Sequence, residues 1–347
     1  MHSVVRRFRS VIVEGRFIPV LTSICVIGMR AAMFYWGNRA QASFIDDSHL
    51  WRYFEHLFDD PFTSFFVSTL SVFLIASIIA TMNGRFNLIR SRSNLPFVVP
   101  LFLLSLHPCF LVMNGNYIAI VFVLLAFFPL LRSYQKSSSY LYSFRAGVLI
   151  AAASLFQIYA LMLIPLWWKG ERTMRGPQFR SLLSSLFGVS LIYLSVFSLY
   201  FLFDDIPGFV QPFLAFALFS LPGIPAFSVS EWVAVIITGL FFVSNMIFSI
   251  NTYSRDKVLT ISFMQFVVFL TVFMLLLQIV YWSRNIFFLT LVVPLISYLN
   301  AYFYTRTVSK SAIYMAYFII VVMTCFYLSH FSFFADLLVK QYHVFRC

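Results

Sequence analysis

AGVLIAAASLFQIYALMLIPLWW, residues 146–168, is the stretch on which the topology of the whole chain depends. It is flanked by seven basic residues: Arg132, Lys136, Arg145, Lys169, Arg172, Arg175 and Arg180. Basic loops of membrane proteins stay on the cytoplasmic side, so a single crossing would put one of these loops outside. Two half-helices that enter and return would keep both loops inside. We therefore predict a half-helix hairpin, although a single span stays open because 23 residues are short for two crossings.

The rest of the chain has the composition of an integral membrane protein. Of 347 residues, 61% are hydrophobic and 10% are charged, whereas a soluble domain carries about 25% charged residues. A membrane-spanning helix needs about 20 apolar residues. Nine further runs are interpreted as crossings: 17–36, 63–82, 97–113, 117–131, 182–203, 232–250, 258–281, 285–304 and 312–334. We predict an all-α polytopic transmembrane helical bundle of about nine full spans plus the hairpin, in one membrane domain over residues 1–347.

The charges are divided between the two sides that these spans define. Segments on the side of the N-terminus hold 18 Lys and Arg against 3 Asp and Glu, and the opposite segments hold 5 against 9. This bias places the N-terminus in the cytoplasm. It also explains the formal charge of +12 without a nucleic-acid partner, because the basic residues form no stripe or patch. A cleavable signal ending at Ala40-Gln41-Ala42 stays open, although Arg30 within the first run favours a retained helix.

Acidic residues suited to chemistry lie on the non-cytoplasmic side. The external loop 37–62 contains Asp46 and Asp47 among five carboxylates, and the second external segment, 204–231, opens on Asp204 and Asp205. Paired carboxylates can hold a divalent cation, orient a sugar hydroxyl or take a proton from a nucleophile. The alternative interpretation is a solvated acidic loop. The sequence indicates no definite cofactor and leaves a divalent cation open.

Four further polar residues map near the same face of the membrane: Arg30, His107, Gln157 and Arg284. Each has a structural alternative, since Arg284 could extend to the interface, His107 could be buried with a partner, and Gln157 could bond two helices. An arginine within a span usually faces a polar cavity, because burying its charge in lipid is costly. Together with the carboxylates, these residues predict binding of a lipid-borne anionic substrate beside apolar helices.

Four stretches follow an order of features known from one enzyme superfamily. They are Asp46-Asp47 with Tyr53 and Pro61, Leu106-His107-Pro108 through Asn114-Gly115-Asn116 into 117–131, Ala146-Gly147-Val148 through Gln157 to Pro165, and Arg284 through Pro294. This order resembles the GT-C superfamily of integral-membrane glycosyltransferases. The chain departs from that pattern at Gln157, where the superfamily often has Lys or Arg.

The resemblance implies a GT-C-like fold and an enzyme of the non-cytoplasmic face that uses a polyprenyl-phosphate-linked sugar donor. Asp46 or Asp47 would be the general base of an inverting displacement at the anomeric carbon. Arg284, Arg30 or His107 would contact the leaving phosphate. A metal ion is required in only some branches of the superfamily, so the resemblance does not settle whether this chain needs one.

The chain also looks similar to an uncharacterised family of multi-spanning proteins from Bacteroidota, chiefly over residues 88–205. That similarity implies a bacterial inner membrane, with the N-terminus cytoplasmic and the C-terminus periplasmic, but no activity. Two other function classes stay open: a glycan polymerase or flippase-like protein, and a non-enzymatic scaffold or accessory subunit. Besides membrane lipids and the polyprenyl-phosphate-sugar lipid, the sequence indicates no particular protein partner.

Overall fold

The computed structural model of the chain is an all-α polytopic helical bundle. It describes residues 3–37, 48–89, 91–136, 140–218, 256–281, 286–307 and 309–331, with residues 236, 239, 243 and 245–247. The α-helices within these ranges are α1 (Ser3–Phe8), α2 (Ile18–Trp36), α3 (Trp51–Phe54), α4 (Pro61–Phe86), α5 (Leu95–Leu103), α6 (Gly115–Arg132), α7 (Tyr140–Phe156), α8 (Leu163–Arg175), α9 (Phe179–Leu202), α10 (Ile206–Leu214), α11 (Val258–Val280), α12 (Phe287–Arg306) and α13 (Lys310–Leu328).

Seven of these helices are long and apolar enough to cross a bilayer, namely α2, α4, α6, α9, α11, α12 and α13. Each coincides with one of the predicted spans. The multi-pass membrane class that the composition predicts is therefore confirmed. The predicted span over 232–250 lies largely outside the described residues.

The bundle has two ends of opposite charge. α4 begins directly after Asp60 and carries Arg85 in its last turn, while α9 runs the other way and ends beside Asp204. The acidic end is the end that holds Asp59, Asp60, Asp204 and Asp205. The basic end is the end that holds Arg85, Arg132, Lys169, Arg172 and Arg306.

Residues 140–175 form a hairpin that starts and finishes at the basic end. α7 ends at Phe156, Gln157 is extended with φ −151° and ψ 102°, and a 3-10 turn leads into α8. Where the two helices meet again, Arg175 donates a hydrogen bond to the Ser143 hydroxyl. The 17 residues of α7 rise about 25 Å, compared with about 30 Å for a hydrocarbon core. The predicted return of the chain and its break at Gln157 are confirmed, but the two arms, over 140–156 and 158–175, are longer than the half-helices predicted within 146–168.

Two glycines allow α7 and α9 to pack backbone against backbone. A Cβ added at Gly147 would lie 2.3 Å from the carbonyl oxygen of Ser185, and one at Gly188 would lie 2.7 Å from that of Phe144. Both distances are shorter than any tolerable contact. Small residues give membrane helices this close approach, which strengthens their van der Waals packing. The contact fixes α7 against α9 along the length of the hairpin.

The run 97–113 differs from the predicted continuous span. α5 ends at Leu103, and the chain continues to Asn114 without α-helix, apart from a 3-10 turn over Pro108–Phe110. Pro108 has no backbone N–H and disfavours helical dihedrals at the residue before it, so His107 is extended with φ −121° and ψ 140°. Non-helical backbone is tolerated at membrane depth only where the protein satisfies its polar groups.

Candidate functional site at the acidic end

Five of the eight predicted site residues belong to the described part of the chain. They are Arg30, His107, Gln157, Asp204 and Asp205. Asp46, Asp47 and Arg284 lie outside the described residues, so their proposed roles stay predictions.

Arg30 supplies the hydrogen bonds that the broken segment after α5 requires. Its fully buried guanidinium donates from Nη1 to the Leu104 carbonyl at 3.1 Å and from Nη2 to the Phe110 carbonyl at 2.9 Å. Two α4 hydroxyls accept further bonds, at Ser68 (2.8 Å) and Thr69 (2.9 Å). Four bonds inside the protein occupy this side chain in the described structure. Its predicted role at a substrate phosphate is not tested.

The first turn of α6 connects Arg30 with the tip of the hairpin. Tyr117 donates its hydroxyl to the Phe110 carbonyl at 2.6 Å, the same oxygen that Arg30 contacts. The preceding residue, Asn116, accepts a 2.7 Å bond from the Gln157 side-chain amide. Gln157 is buried and holds α6 to the tip of the hairpin, which is the interhelical role that its sequence position left open.

His107 lies on another side of the same segment, against α13. Its Nδ1 accepts the backbone N–H of Cys109 at 3.2 Å, so the ring stabilises the turn at Pro108. The ring stacks on Phe326 at a centroid distance of 6.1 Å and meets the His330 ring edge-on at 5.0 Å. The Nδ1 atom of His330 lies 2.8 Å from the Phe326 carbonyl oxygen. The two imidazole rings therefore form an aromatic contact between the broken segment and the C-terminal end of α13.

An ion pair joins the two predicted external segments at the acidic end. Arg52 Nη2, from α3, lies 3.0 Å from Asp205 Oδ2, which precedes α10. The same nitrogen donates to the Tyr53 hydroxyl at 3.0 Å, and the guanidinium lies over the Tyr53 and Tyr200 rings at 5.0 and 5.5 Å. The bond to Tyr53 raises the pKa of Arg52 and lowers the pKa of Tyr53. Asp204, in the turn before Asp205, is exposed.

Asp205 also determines where α10 begins. Its Oδ1 accepts the backbone N–H of Gly208 at 3.0 Å, which is a side-chain cap at the helix N-terminus. One carboxylate therefore caps a helix through one oxygen and pairs with Arg52 through the other. Sequence reasoning selected Asp205 but gave no site role to Arg52, because no sequence signal pairs residues 153 positions apart.

His49 is a buried histidine that the sequence prediction did not select. It lies among four aromatic rings, those of Tyr193, Tyr200, Phe209 and Phe213, at centroid distances of 5.2 to 6.0 Å. Its Nε2 is 2.9 Å from the Phe209 carbonyl, and its own carbonyl accepts the Tyr200 hydroxyl at 3.0 Å. Since Nε2 faces an acceptor, it carries the proton, and Nδ1 keeps a lone pair with no partner among the described residues.

Lowering the pH from 7 to 5 is expected to destabilise the folded chain through His49. Burial lowers the pKa of His49 below its usual 6.5. In this range the unfolded chain binds more protons at His49 than the folded chain does, so folding free energy is lost as pH falls. His49→Gln keeps an N–H donor for Phe209 and does not titrate. The thermal midpoint in detergent should fall less between pH 7 and pH 5 for this variant than for wild type.

His56 provides the matched control for that comparison. Its side chain is 83% exposed, so His56→Gln should leave the pH dependence of the wild type unchanged. An equal fall of the midpoint in wild type and in His49→Gln would show that another group causes the acid sensitivity.

The described residues contain no cluster of metal-binding side chains. In those ranges no three His, Cys, Asp or Glu side chains lie together in a way that could hold a metal ion. Asp46 and Asp47 lie outside the described residues, and the requirement for a divalent cation stays open.

Comparison of the chain with protein-family models, curated proteins and solved structures finds no match. The resemblance to the GT-C superfamily thus rests on the motif residues of the sequence alone.

Proposed function

We propose that the chain is a glycosyltransferase-like membrane enzyme that takes a sugar from a polyprenyl-phosphate carrier at its acidic end. The observation that carries the proposal is the Arg52–Asp205 ion pair at 3.0 Å, which joins the first external loop to the second. It brings α3 into contact with the segment that joins α9 to α10. We further propose that the acidic end faces the periplasm of a bacterial inner membrane.

Arg52 has the chemistry and the accessibility of a phosphate ligand. A guanidinium presents two parallel N–H donors to phosphate oxygens and does not lose its charge. The side chains of Arg52 and Asp205 are 31% and 43% exposed, so an entering phosphate can reach the pair. Arg52 therefore replaces Arg30 as the favoured phosphate contact, because the Arg30 guanidinium is buried and already bonded to four acceptors.

Asp46 or Asp47 would act as the general base in this proposal. The carboxylate removes the proton of the acceptor hydroxyl as its oxygen bonds to the anomeric carbon, and the bond from that carbon to the phosphate oxygen breaks. Negative charge then develops on the leaving phosphate, where a fixed Arg52 stabilises it. The prenyl chain would lie against the apolar, exposed surfaces of the spanning helices, which are the part of the chain in contact with lipid.

Transfer from a panel of polyprenyl-phosphate hexoses by the full chain in liposomes tests the proposal. Removing a general base lowers a rate by about 10²- to 10⁴-fold. We expect the double variant Asp46→Asn, Asp47→Asn to lose transfer on this scale. Arg52→Lys should retain the charge but lose the pair of parallel N–H donors, so transfer should fall by about tenfold, the loss of roughly one hydrogen bond to a charged group.

Asp59→Asn is the matched control, since Asp59 lies in the same loop and its side chain is 72% exposed. This variant should transfer sugar at the wild-type rate. Full activity of the Asp46, Asp47 double variant would contradict the assignment of the base. Equal activity of Arg52→Lys and wild type would contradict the assignment of the phosphate contact.

A second candidate function is that of a non-enzymatic scaffold or accessory subunit. The observation that favours it is the bonding of Arg30 and Gln157, which both serve as contacts between elements of the bundle. A folded, monodisperse chain that transfers sugar from no donor of the panel would support this function over the enzymatic one.

A further inference from the structure

A cavity lies at the basic end, away from the Arg52–Asp205 ion pair at the acidic end. It has a volume of about 600 Å³ and opens between the C-terminal part of α8 and the first turn of α9. Lys169, Arg172 and Arg175 line it from α8, and Gln178, which precedes α9, lines it together with Phe179 and Ser181 of that helix. The turn at Gly176 that joins the two helices closes one side of the cavity.

The cavity has an excess of positive charge. Its one carboxylate, Glu171, pairs with Arg175 at 2.7 Å, and both of these side chains are at least 95% buried. Lys169 and Arg172 stand three residues apart on α8 and therefore project from the same face. Both are exposed, and in the described ranges neither has a carboxylate within ion-pair distance. Two cations beside an already neutralised pair form a site for an anion.

The first turn of α9 adds donors to these two cations. Gln178 gives no side-chain cap to that helix. The leading backbone N–H groups of a helix lack partners within the helix, and they carry partial positive charge. The first residues of α9 line the same cavity as Lys169 and Arg172, so a phosphate placed between the helices would meet positive charge from both of them.

An apolar stripe continues from the cavity along α9. Phe179 lines the cavity and is 72% exposed, and Leu183 and Phe187 follow at intervals of four residues with 51% and 64% exposure. Residues at this spacing share one face of a helix. Because α9 is a candidate span, that face borders the hydrocarbon of the membrane. A soluble phosphate would not use the stripe, whereas a phospholipid would fill the cavity with its headgroup and cover the stripe with an acyl chain.

We propose that this cavity is a binding site for the phosphate headgroup of an anionic phospholipid in the leaflet at the basic end. Lys169 and Arg172 contact the phosphate, and one acyl chain runs along Phe179, Leu183 and Phe187. This site is independent of the proposed transferase function. It gives the chain a fixed lipid contact at the turn between α8 and α9, on the membrane face opposite the Arg52–Asp205 pair.

Native mass spectrometry of the full chain in detergent, titrated with phosphatidylglycerol or phosphatidylcholine, tests the site. Each basic residue near a membrane surface favours anionic lipid by about fivefold. Wild type should bind phosphatidylglycerol at least about tenfold more tightly than phosphatidylcholine, and Lys169→Gln, Arg172→Gln should remove most of that preference. The variant Arg6→Gln, Arg7→Gln carries the same charge change on α1 and should keep the preference.

Three outcomes of the lipid titration would overturn the proposal. These are equal binding of the two lipids by wild type, an unchanged preference in the Lys169, Arg172 variant, and an equal loss in the Arg6, Arg7 variant. Competition with millimolar inorganic phosphate distinguishes a lipid headgroup from a soluble phosphate as the ligand of the cavity. Displacement of phosphatidylglycerol by inorganic phosphate would assign the cavity to a soluble anion, and failure to displace it supports the lipid. Unchanged thermal midpoints of the variants verify that folding is retained.

Discussion

Replacing Arg30 by methionine is expected to lower the free energy of unfolding by about 3 kcal/mol, because four buried hydrogen bonds to a charged group are lost. The Leu104 carbonyl, which follows the end of α5, is left without the donor that Arg30 provides. Within a membrane protein that oxygen has no water to bond instead. The loss should appear as a lower thermal midpoint and a lower yield of monodisperse protein in detergent.

Two further variants separate this effect from a general loss of charge. Arg30→Lys should be intermediate, since one ammonium group cannot reach acceptors on both α4 and the broken segment. Arg16→Met changes an exposed arginine next to the same helix and should shift unfolding by no more than about 0.5 kcal/mol. If Arg30→Met unfolded like Arg16→Met, the broken segment after α5 would owe its stability to other contacts.

Replacing Gly147 by alanine is expected to lower the free energy of unfolding by about 1–3 kcal/mol, although alanine is the better helix former. The new methyl group would lie 2.3 Å from the backbone oxygen of Ser185, so α7 and α9 must move apart. Gly147→Leu should cost more, because the larger side chain has no space between the two helices. Thermal unfolding in one detergent compares the variants directly.

Gly28 offers a control, because alanine at this position should not lower the free energy of unfolding. A Cβ at Gly28, in α2, would meet nothing within 4 Å. Gly28→Ala should therefore leave stability unchanged or raise it by up to about 1 kcal/mol, as replacing a glycine inside a helix does. Equal effects of alanine at positions 28 and 147 would mean that α7 and α9 are not packed as closely as described.

The sequence predicts much of the membrane fold because two of its signals are strong. Long apolar runs identify seven spanning helices, and the basic residues on both sides of 146–168 predict that the chain returns. The break at Gln157 also follows from the sequence, since Gln157 is the strongly polar residue near the middle of an apolar stretch. Composition and charge are local properties, so a single sequence is sufficient to read them.

The broken segment after α5 shows why the rest could not be predicted. The run 97–113 is apolar enough to look like one helix, and Pro108 alone does not decide between a kink and a break. What stabilises the break is Arg30, which stands 74 and 80 residues away from the two carbonyls that it contacts. Because the sequence does not identify these acceptors, the charge of Arg30 indicates a substrate site as readily as a structural bond.

The same reasoning applies to His49 and Arg52. Their partners, Phe209 and Asp205, are 160 and 153 residues away in the chain. In the sequence both residues look like ordinary members of a polar loop. The structure instead brings them to α9 and α10, where His49 is enclosed by aromatic rings and Arg52 pairs with a carboxylate at the opposite segment. Only tertiary contacts distinguish His49 and Arg52 from the other polar residues of the same loop.

The division of the bundle into an acidic and a basic end on opposite sides of the membrane is the central claim, and cysteine accessibility tests it. In a chain with all four native cysteines replaced, single cysteines at Glu55, Asp204, Lys136 and Pro177 are labelled with a membrane-impermeant maleimide in sealed vesicles. We expect positions 136 and 177 to label from one side and positions 55 and 204 from the other. Labelling of 136 and 177 from opposite sides would contradict the hairpin, and with it the gathering of the polar site at one membrane face.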